Sequence, residues 1–307
     1  MSLTSFISQP SISKTFRDFV VKPEFVSNKP ILATPLTNNY RIIGTAFDYL
    51  LRFYIEHNNP DVQSKHWISE NSVRILESKG SDLSKIAKER FDEAKSNYQL
   101  YIKNGVLTED LIAGTIYLAY LDVVFRAGVN KLLLENLKEV DKKDVEDLKN
   151  LISIVPEKNF KSKKACYLNP TFGRASMLVG GADADLIIDE RIIDIKTTKD
   201  FRLKSESLYQ LLGYYILLSL GGVNKENVDY LNEVCQINSL GIYYSRHGFL
   251  YEISLTDLIS EENLISLTKW FIESARPNPS SRLYICSNYF GQAAKQIVDE
   301  LGSKNKN

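Results

Sequence analysis

At 307 residues the chain has room for one elaborated domain or two. Its 44% hydrophobic content is ample for a packed core, and no run stays apolar long enough to cross a membrane. The 38 basic and 38 acidic residues cancel, which counts against a generally basic nucleic-acid binder and leaves such binding to local patches. Cys166, Cys235 and Cys286 are far apart and odd in number, so neither a disulfide framework nor a Cys-x-x-Cys metal site is indicated. The first residues lack the continuous apolar region of a secretory signal. A reducing, cytoplasmic compartment is expected.

In chain order, residues 1–37 are rich in Ser, Thr and Pro without periodicity and predict an extended arm. A helix is predicted from Arg41 to His57, with Ile43, Ala46, Phe47, Leu50, Leu51 and Tyr54 on one stripe. Residues 60–160 predict further helices. Thr108–Phe125 is apolar nearly all round and so should be buried, and Asp144–Ile154 is shorter and amphipathic. Asp122 and Arg126, four apart, suit an ordinary helix pair. Arg174–Val179 is a plausible first strand leading into Gly180-Gly181. Leu186–Ile188 and Ile192–Ile193 then form a hairpin around Asp189-Glu190-Arg191. Ser205 can cap a helix over Glu206–Leu220, stopped by Gly221-Gly222. Leu240–Arg246 and Phe249–Leu255 alternate around His247-Gly248 as a second hairpin. Helices over Ser260–Arg276 and Phe290–Leu301 close the chain.

The first hairpin carries unusual polar cargo. Asp183 and Asp185 open its first strand, and Asp194 and Lys196 close its second. Alternation puts Asp194 and Lys196 on one face, Ile193 and Ile195 on the other, and Asp183 and Asp185 together on the neighbouring strand. If pairing joins the two sets, two or three carboxylates and an ammonium meet at one spot, and carboxylates that close repel unless a cation sits between them. One or two carboxylates completed by water and phosphate describe a Mg²⁺ site. A lysine beside it suits phosphodiester hydrolysis, orienting water or neutralising charge on the phosphate. A calcium loop starting at Asp183 fails, because its fifth, sixth and twelfth positions hold Ile187, Ile188 and Asp194.

Asp185 followed by Asp194-Ile195-Lys196 resembles the PD-(D/E)XK nuclease signature. Gln210-Leu-Leu-Gly-Tyr214 resembles the Gln-x-x-x-Tyr motif of its RecB-like branch, which includes RecB and AddB nuclease domains and CRISPR-adaptation exonucleases. The resemblance covers Arg174 to Tyr251 and extends to Gly44-Thr-Ala-Phe-Asp48, where the branch has a metal-proximal histidine four positions after the glycine. Asp48 stands at that place. The resemblance implies an α/β restriction-endonuclease-like core (helix, three strands, helix, strand; a central mixed sheet flanked by helices). It implies one nuclease domain over 38–307 with a helical insertion at about 60–160. It further implies a Mg²⁺- or Mn²⁺-dependent DNA nuclease with Asp185, Asp194 and the Ile195 carbonyl as metal ligands. Asp183 is then a reserve ligand and Asp48 a ligand or holder of a metal water. Lys196 positions or activates water, and Gln210 and Tyr214 grip the strand or the carboxylates. Several RecB-like relatives carry a four-cysteine iron–sulfur cluster; three cysteines cannot supply one.

Lys158, Lys161, Lys163 and Lys164 before the hairpin, and Lys196, Lys199, Arg202 and Lys204 after it, would form a cationic rim for phosphates. Exonuclease and endonuclease action both stay open, as do repair, recombination, phage replication and defence. The competing readings are a non-catalytic nucleic-acid-binding or scaffold protein on the same fold, which divalent-dependent cleavage would eliminate, and an unrelated α/β enzyme in which Asp194-Ile195-Lys196 is accidental.

Overall fold

The computed structural model describes residues 2–275 apart from 27, 65–66, 79–81, 129–135 and 225–235. The architecture is mixed α/β: a six-stranded open sheet with helices on both faces. The strands are β1 (Gln63–Ser64), β2 (Cys166–Leu168), β3 (Leu186–Ile188), β4 (Arg191–Lys196), β5 (Ser239–Tyr244) and β6 (Phe249–Ser254), lying side by side in that order. β2–β3, β3–β4 and β5–β6 pair antiparallel, while β1–β2 and β4–β5 are parallel. The parallel β4–β5 pair needs a long crossover, and the helix Ser205–Gly221 (α8) belongs to it.

Alternation along the strands feeds two separate cores. Ile187, Ile192, Leu240 and Ile242 pack under α1 (Leu3–Ile7), α2 (Pro10–Phe19), α8 and α10 (Glu261–Ala275). Leu186, Ile188, Ile193 and Tyr243 pack under α3 (Tyr40–Asn58), α4 (Ile68–Ser78), α5 (Asp82–Asn104), α6 (Glu109–Ala127) and α7 (Lys142–Ser153). A four-residue helix, α9 (Leu255–Leu258), joins β6 to α10. The expected helix over 41–57, the first hairpin and the buried helix after Thr108 are all present. Thr108 caps α6, its side chain accepting the Leu111 N–H. No described helix is long and apolar enough to cross a membrane.

Three local expectations are corrected. The first residues are not extended: α1 and α2 stand there, because Leu3, Phe6 and Ile7, then Ile12 and Phe16, fall at helical spacing and bury against α8 and α10. Beyond Phe19 the described residues of the arm carry no regular structure up to Asn39. Arg174–Val179 forms a 3₁₀ turn instead of a strand; Ala175, Ser176, Leu178 and Val179 bury as a compact knot, without the alternation a strand needs. The strand that joins the hairpin is β2. Ser205 does not cap α8, whose cap position is Lys204 with no side-chain bond. The helix predicted over Phe290–Leu301 lies outside the described residues, as does the Arg126 side chain.

Candidate active site

The hairpin makes the site through its unequal strand lengths. β3 ends where Leu186 pairs with Ile193, so the Ile195 N–H lies beyond the last β3 partner. The Asp185 side chain takes that place, Oδ2 accepting the Ile195 N–H at 2.6 Å. Asp194, between Ile193 and Ile195 on β4, is 3% exposed. Lys196 follows on the same face of the strand. Its Nζ lies 2.8 Å from Asp194 Oδ2 as an ion pair but is aligned to donate a hydrogen bond only to Oδ1, at 3.1 Å. Asp194 Oδ2 is therefore a buried oxygen without a hydrogen bond.

Two carboxylates and one ammonium leave negative charge in surplus. Burial holds the Asp185 carboxyl well above the usual carboxylate range, and the nearby charges of Asp194 and Asp48 push it further, against the Ile195 N–H and Lys196. Burial also raises Asp194, with Lys196 opposing. Burial alone would make the Lys196 ammonium easier to discharge, but the carboxylates of Asp194 and Asp185 win, so it stays charged.

α8 supplies the facing wall. Gln210 and Tyr214, one turn apart, are joined by a bond from Gln210 Nε2 to the Tyr214 hydroxyl at 2.7 Å. Burial, then Asp185 and Asp194, raises the Tyr214 phenol, so it remains protonated. Asp183, Asp185, Asp194, Ile195, Lys196, Gln210 and Tyr214 all line one cavity of about 270 Å³. The N-terminus closes its side. Ser2, Leu3 and Thr4 line the same cavity, and the Leu3 N–H donates to the Gly181 carbonyl at 3.1 Å. Only the spacing of Leu3, Phe6 and Ile7 could have signalled this wall.

Asp48 lies on the other side. It lines a second cavity, of about 200 Å³, that shares Asp183, Asp185 and Ile195 with the first. Arg52 pairs with Asp48 at 2.6 Å and stacks on Tyr49, its guanidinium 4.4 Å from the ring centre. Tyr49 in turn donates to Asp122 at 2.8 Å. Asp122 thus belongs to a buried network with Tyr49 and Ser69, and Arg52 is a site neighbour the sequence did not single out.

One expectation fails geometrically. Lys158, Lys161, Lys163 and Lys164 do not rim the carboxylates. They line a separate concavity of about 810 Å³ with Asp189, Glu190 and Arg191, at the turn end of β4. Five residue steps of strand carry Arg191 to Lys196, about 16 Å. Lys161 and Lys164 are also engaged, with Glu157 at 2.7 Å and Glu190 at 2.5 Å. Asp189 has a structural task there. At φ 54 its Oδ1 accepts the N–H groups of Lys163, Lys164 and Ala165 at 2.9, 2.7 and 3.3 Å. The downstream cations fare differently: Lys196, Arg202 and Lys204 do border a cavity joined to the site.

Asp185 and Asp194 suit a hard divalent cation. Both offer carboxylate oxygens, one of them without a hydrogen bond, and their mutual repulsion is what a cation relieves. Among the described residues no three Asp, Glu, His or Cys side chains close into a finished cage. Mg²⁺ does not ask for one, since it is usually bound by one or two carboxylates with water and substrate phosphate. No protein-family model, curated protein or solved structure matches the chain.

Proposed function

We propose that the protein is a Mg²⁺- or Mn²⁺-dependent DNA nuclease of the PD-(D/E)XK kind with RecB-like features. The observation that carries this reading is the convergence of Asp185, Asp194 and Lys196 from one hairpin against Gln210 and Tyr214 from α8, around a single cavity. The sheet supports it as well: a helix, the β2–β3–β4 meander, α8 and then β5 parallel to β4 follow the order of a restriction-endonuclease-like core. Asp185 and Asp194 would hold the cation, with Asp183 and the Ile195 backbone at the edge of the same cavity. A bound Mg²⁺ supplies Lewis-acid polarisation of the phosphate and a more acidic water.

The remaining work falls to side chains. Lys196, kept charged by Asp194, offers N–H donors to a phosphate oxygen as negative charge grows there in the transition state. It can equally orient the attacking water. The Tyr214 hydroxyl, held by Gln210, stays neutral and fixes the α8 side of the cleft toward the carboxylates and the strand. Asp48 is engaged with Arg52 and shapes the charge around Asp185 from the α3 side.

The test is incubation with linear and covalently closed circular DNA in Mg²⁺, Mn²⁺ or EDTA. The expected outcome is divalent-dependent degradation with the linear form consumed faster, because the cleft is walled by α1. Equal attack on the closed circle would remove the exonuclease part. Absence of any divalent-dependent cleavage would leave a nucleic-acid-binding or scaffold role.

A further inference from the structure

The trough that holds the carboxylates is electrically lopsided. On the α3 side the second cavity adds Asp48 and Asp122 to the shared Asp183 and Asp185, and Arg52, already paired with Asp48, is the single basic side chain among its lining residues. On the α8 side the cavity continues, through Thr4, Lys196 and Gln210, into a chamber of about 290 Å³. That chamber is bordered by Lys196, Arg202 and Lys204, with Asp200 and Glu206. The connection from Lys196 to Lys204 carries four cations and one carboxylate. Asp200 is held below the usual carboxylate range by Arg202 first, then by Lys204 and Lys199.

The basic connection is also held in place. The Thr198 hydroxyl accepts the Asp200 N–H at 3.1 Å, and the Tyr244 hydroxyl donates to the Arg202 carbonyl at 2.9 Å. Ile7 and Tyr244 give the chamber an apolar wall beside these charges. A polyphosphate backbone gains from the cationic side through counterion release and meets carboxylates in excess of cations on the other. A cationic ligand would show the opposite preference.

We infer that a nucleic-acid strand leaves the Asp185–Asp194 site only through the chamber between α1 and the Thr198–Lys204 connection, with Arg202 and Lys204 holding the phosphates next to the cleaved bond. This rests on the nuclease reading for the identity of the ligand. The acidic lobe under α3 then makes the path one-sided, so the strand terminates at the site and products come from an end.

Binding separates this inference from the nuclease reading, because it can be measured without turnover. Fluorescence anisotropy of a labelled single-stranded oligonucleotide in Ca²⁺, over a salt series, compares the parent with R202A/K204A, D200N and K158A/K163A. The Arg202 side chain is 73% exposed and its ion pair is with the half-exposed Asp200, so the variants should melt with the parent. R202A/K204A should bind at least about tenfold more weakly and lose about 1.4 from the slope of log affinity against log salt, roughly 0.7 per phosphate contact. D200N should bind more tightly, and K158A/K163A should match the parent. Parental affinity and slope in R202A/K204A, no binding by the parent, or the loss appearing in K158A/K163A would each overturn the inference. A parent that binds through Arg202 and Lys204 yet fails to cleave in Mg²⁺ would sink the nuclease reading and leave the path standing.

Discussion

Asp185 shows how one residue can serve both the fold and the site. Its carboxylate takes the Ile195 N–H that β3 is too short to reach, yet it sits against Asp194 with its pKa raised. A raised carboxyl pKa means the folded state binds a proton that the unfolded chain has already released. Stability therefore falls as pH rises from the ordinary carboxylate value toward the raised one, and the cost stands in full above it. Asp185→Asn keeps the acceptor for Ile195 and removes the charge. Metal-free, it should melt above the parent at pH 8, with the gap closing as pH falls through the range in which Asp185 takes up its proton. Thermal melts over pH 4–8 in EDTA check this. A variant that melts below the parent at pH 8 would show that the buried Asp185 charge, opposed by burial first and then by Asp194 and Asp48, does not cost the fold stability.

At the scale of elements, α1 is the piece that turns a groove into a walled cleft. Five residues are too few to hold a helix alone; α1 exists because Leu3, Phe6 and Ile7 bury against α8, α10 and the Gly173–Val179 turn. Gly213 makes the seat. A β-carbon there would lie 3.0 Å from Leu3 Cδ1 and 3.1 Å from Ile7 Cδ1, a gap those side-chain ends can open for Ala but not for the two methyl groups of Val. Gly213→Val should cost about 1–3 kcal/mol through overpacking and lift α1 off α8. Hydrogen exchange over residues 2–8 should then accelerate while α3 and α6 keep their protection; unchanged exchange at 2–8 would show that Gly213 is not the seat. The sequence carried this element only as the spacing of three apolar residues, hidden among Ser, Thr and Pro. β3 and β4 were far more legible, because β-branched runs flanked by charge have few other conformations open to them. The first core strand was misplaced, since Cys166–Leu168 is short and gains strand character only from its partners in β1 and β3.

Across the whole molecule, the helices under one sheet face are tied to the turn between β5 and β6 by a buried ion pair. Arg246 binds Asp147 of α7 in a two-pronged contact at 2.8 and 2.9 Å, both side chains at most 1% exposed. It also donates to the Ala33 carbonyl at 3.1 Å, so arm, helix and sheet meet at one guanidinium. Nothing in the sequence announces a pair 99 residues apart; periodicity reports which face is buried, not which partner waits there. Arg246→Met or Asp147→Leu alone should cost about 3–5 kcal/mol by stranding the other charge, while the double variant should cost markedly less than their sum. Urea unfolding of the three variants measures the coupling, and strict additivity would deny the pair. The site shows the same division between local and distant information. Asp185, Asp194, Lys196, Gln210 and Tyr214 were legible because their spacing is local, and they do line one cavity. The lysines of 158–164 were misassigned because nearness in sequence to the hairpin is not nearness to its carboxylate end.

The central claim, that this hairpin hydrolyses phosphodiesters, is tested most directly by timing cleavage of linear DNA in Mn²⁺ by the parent, Asp194→Asn and Lys196→Ala, with Mn²⁺ binding followed calorimetrically on the same samples. The parent should cleave and bind. Asp194→Asn should stay folded and lose both, since its carboxylate faces the cation. Lys196→Ala should bind Mn²⁺ at least as tightly, because the carboxylates lose a neighbouring ammonium, and should cleave at least about a hundredfold more slowly, because its contribution is to the transition state. Cleavage by Asp194→Asn at the parental rate, or a parent that binds no Mn²⁺ and cuts nothing, would contradict the account.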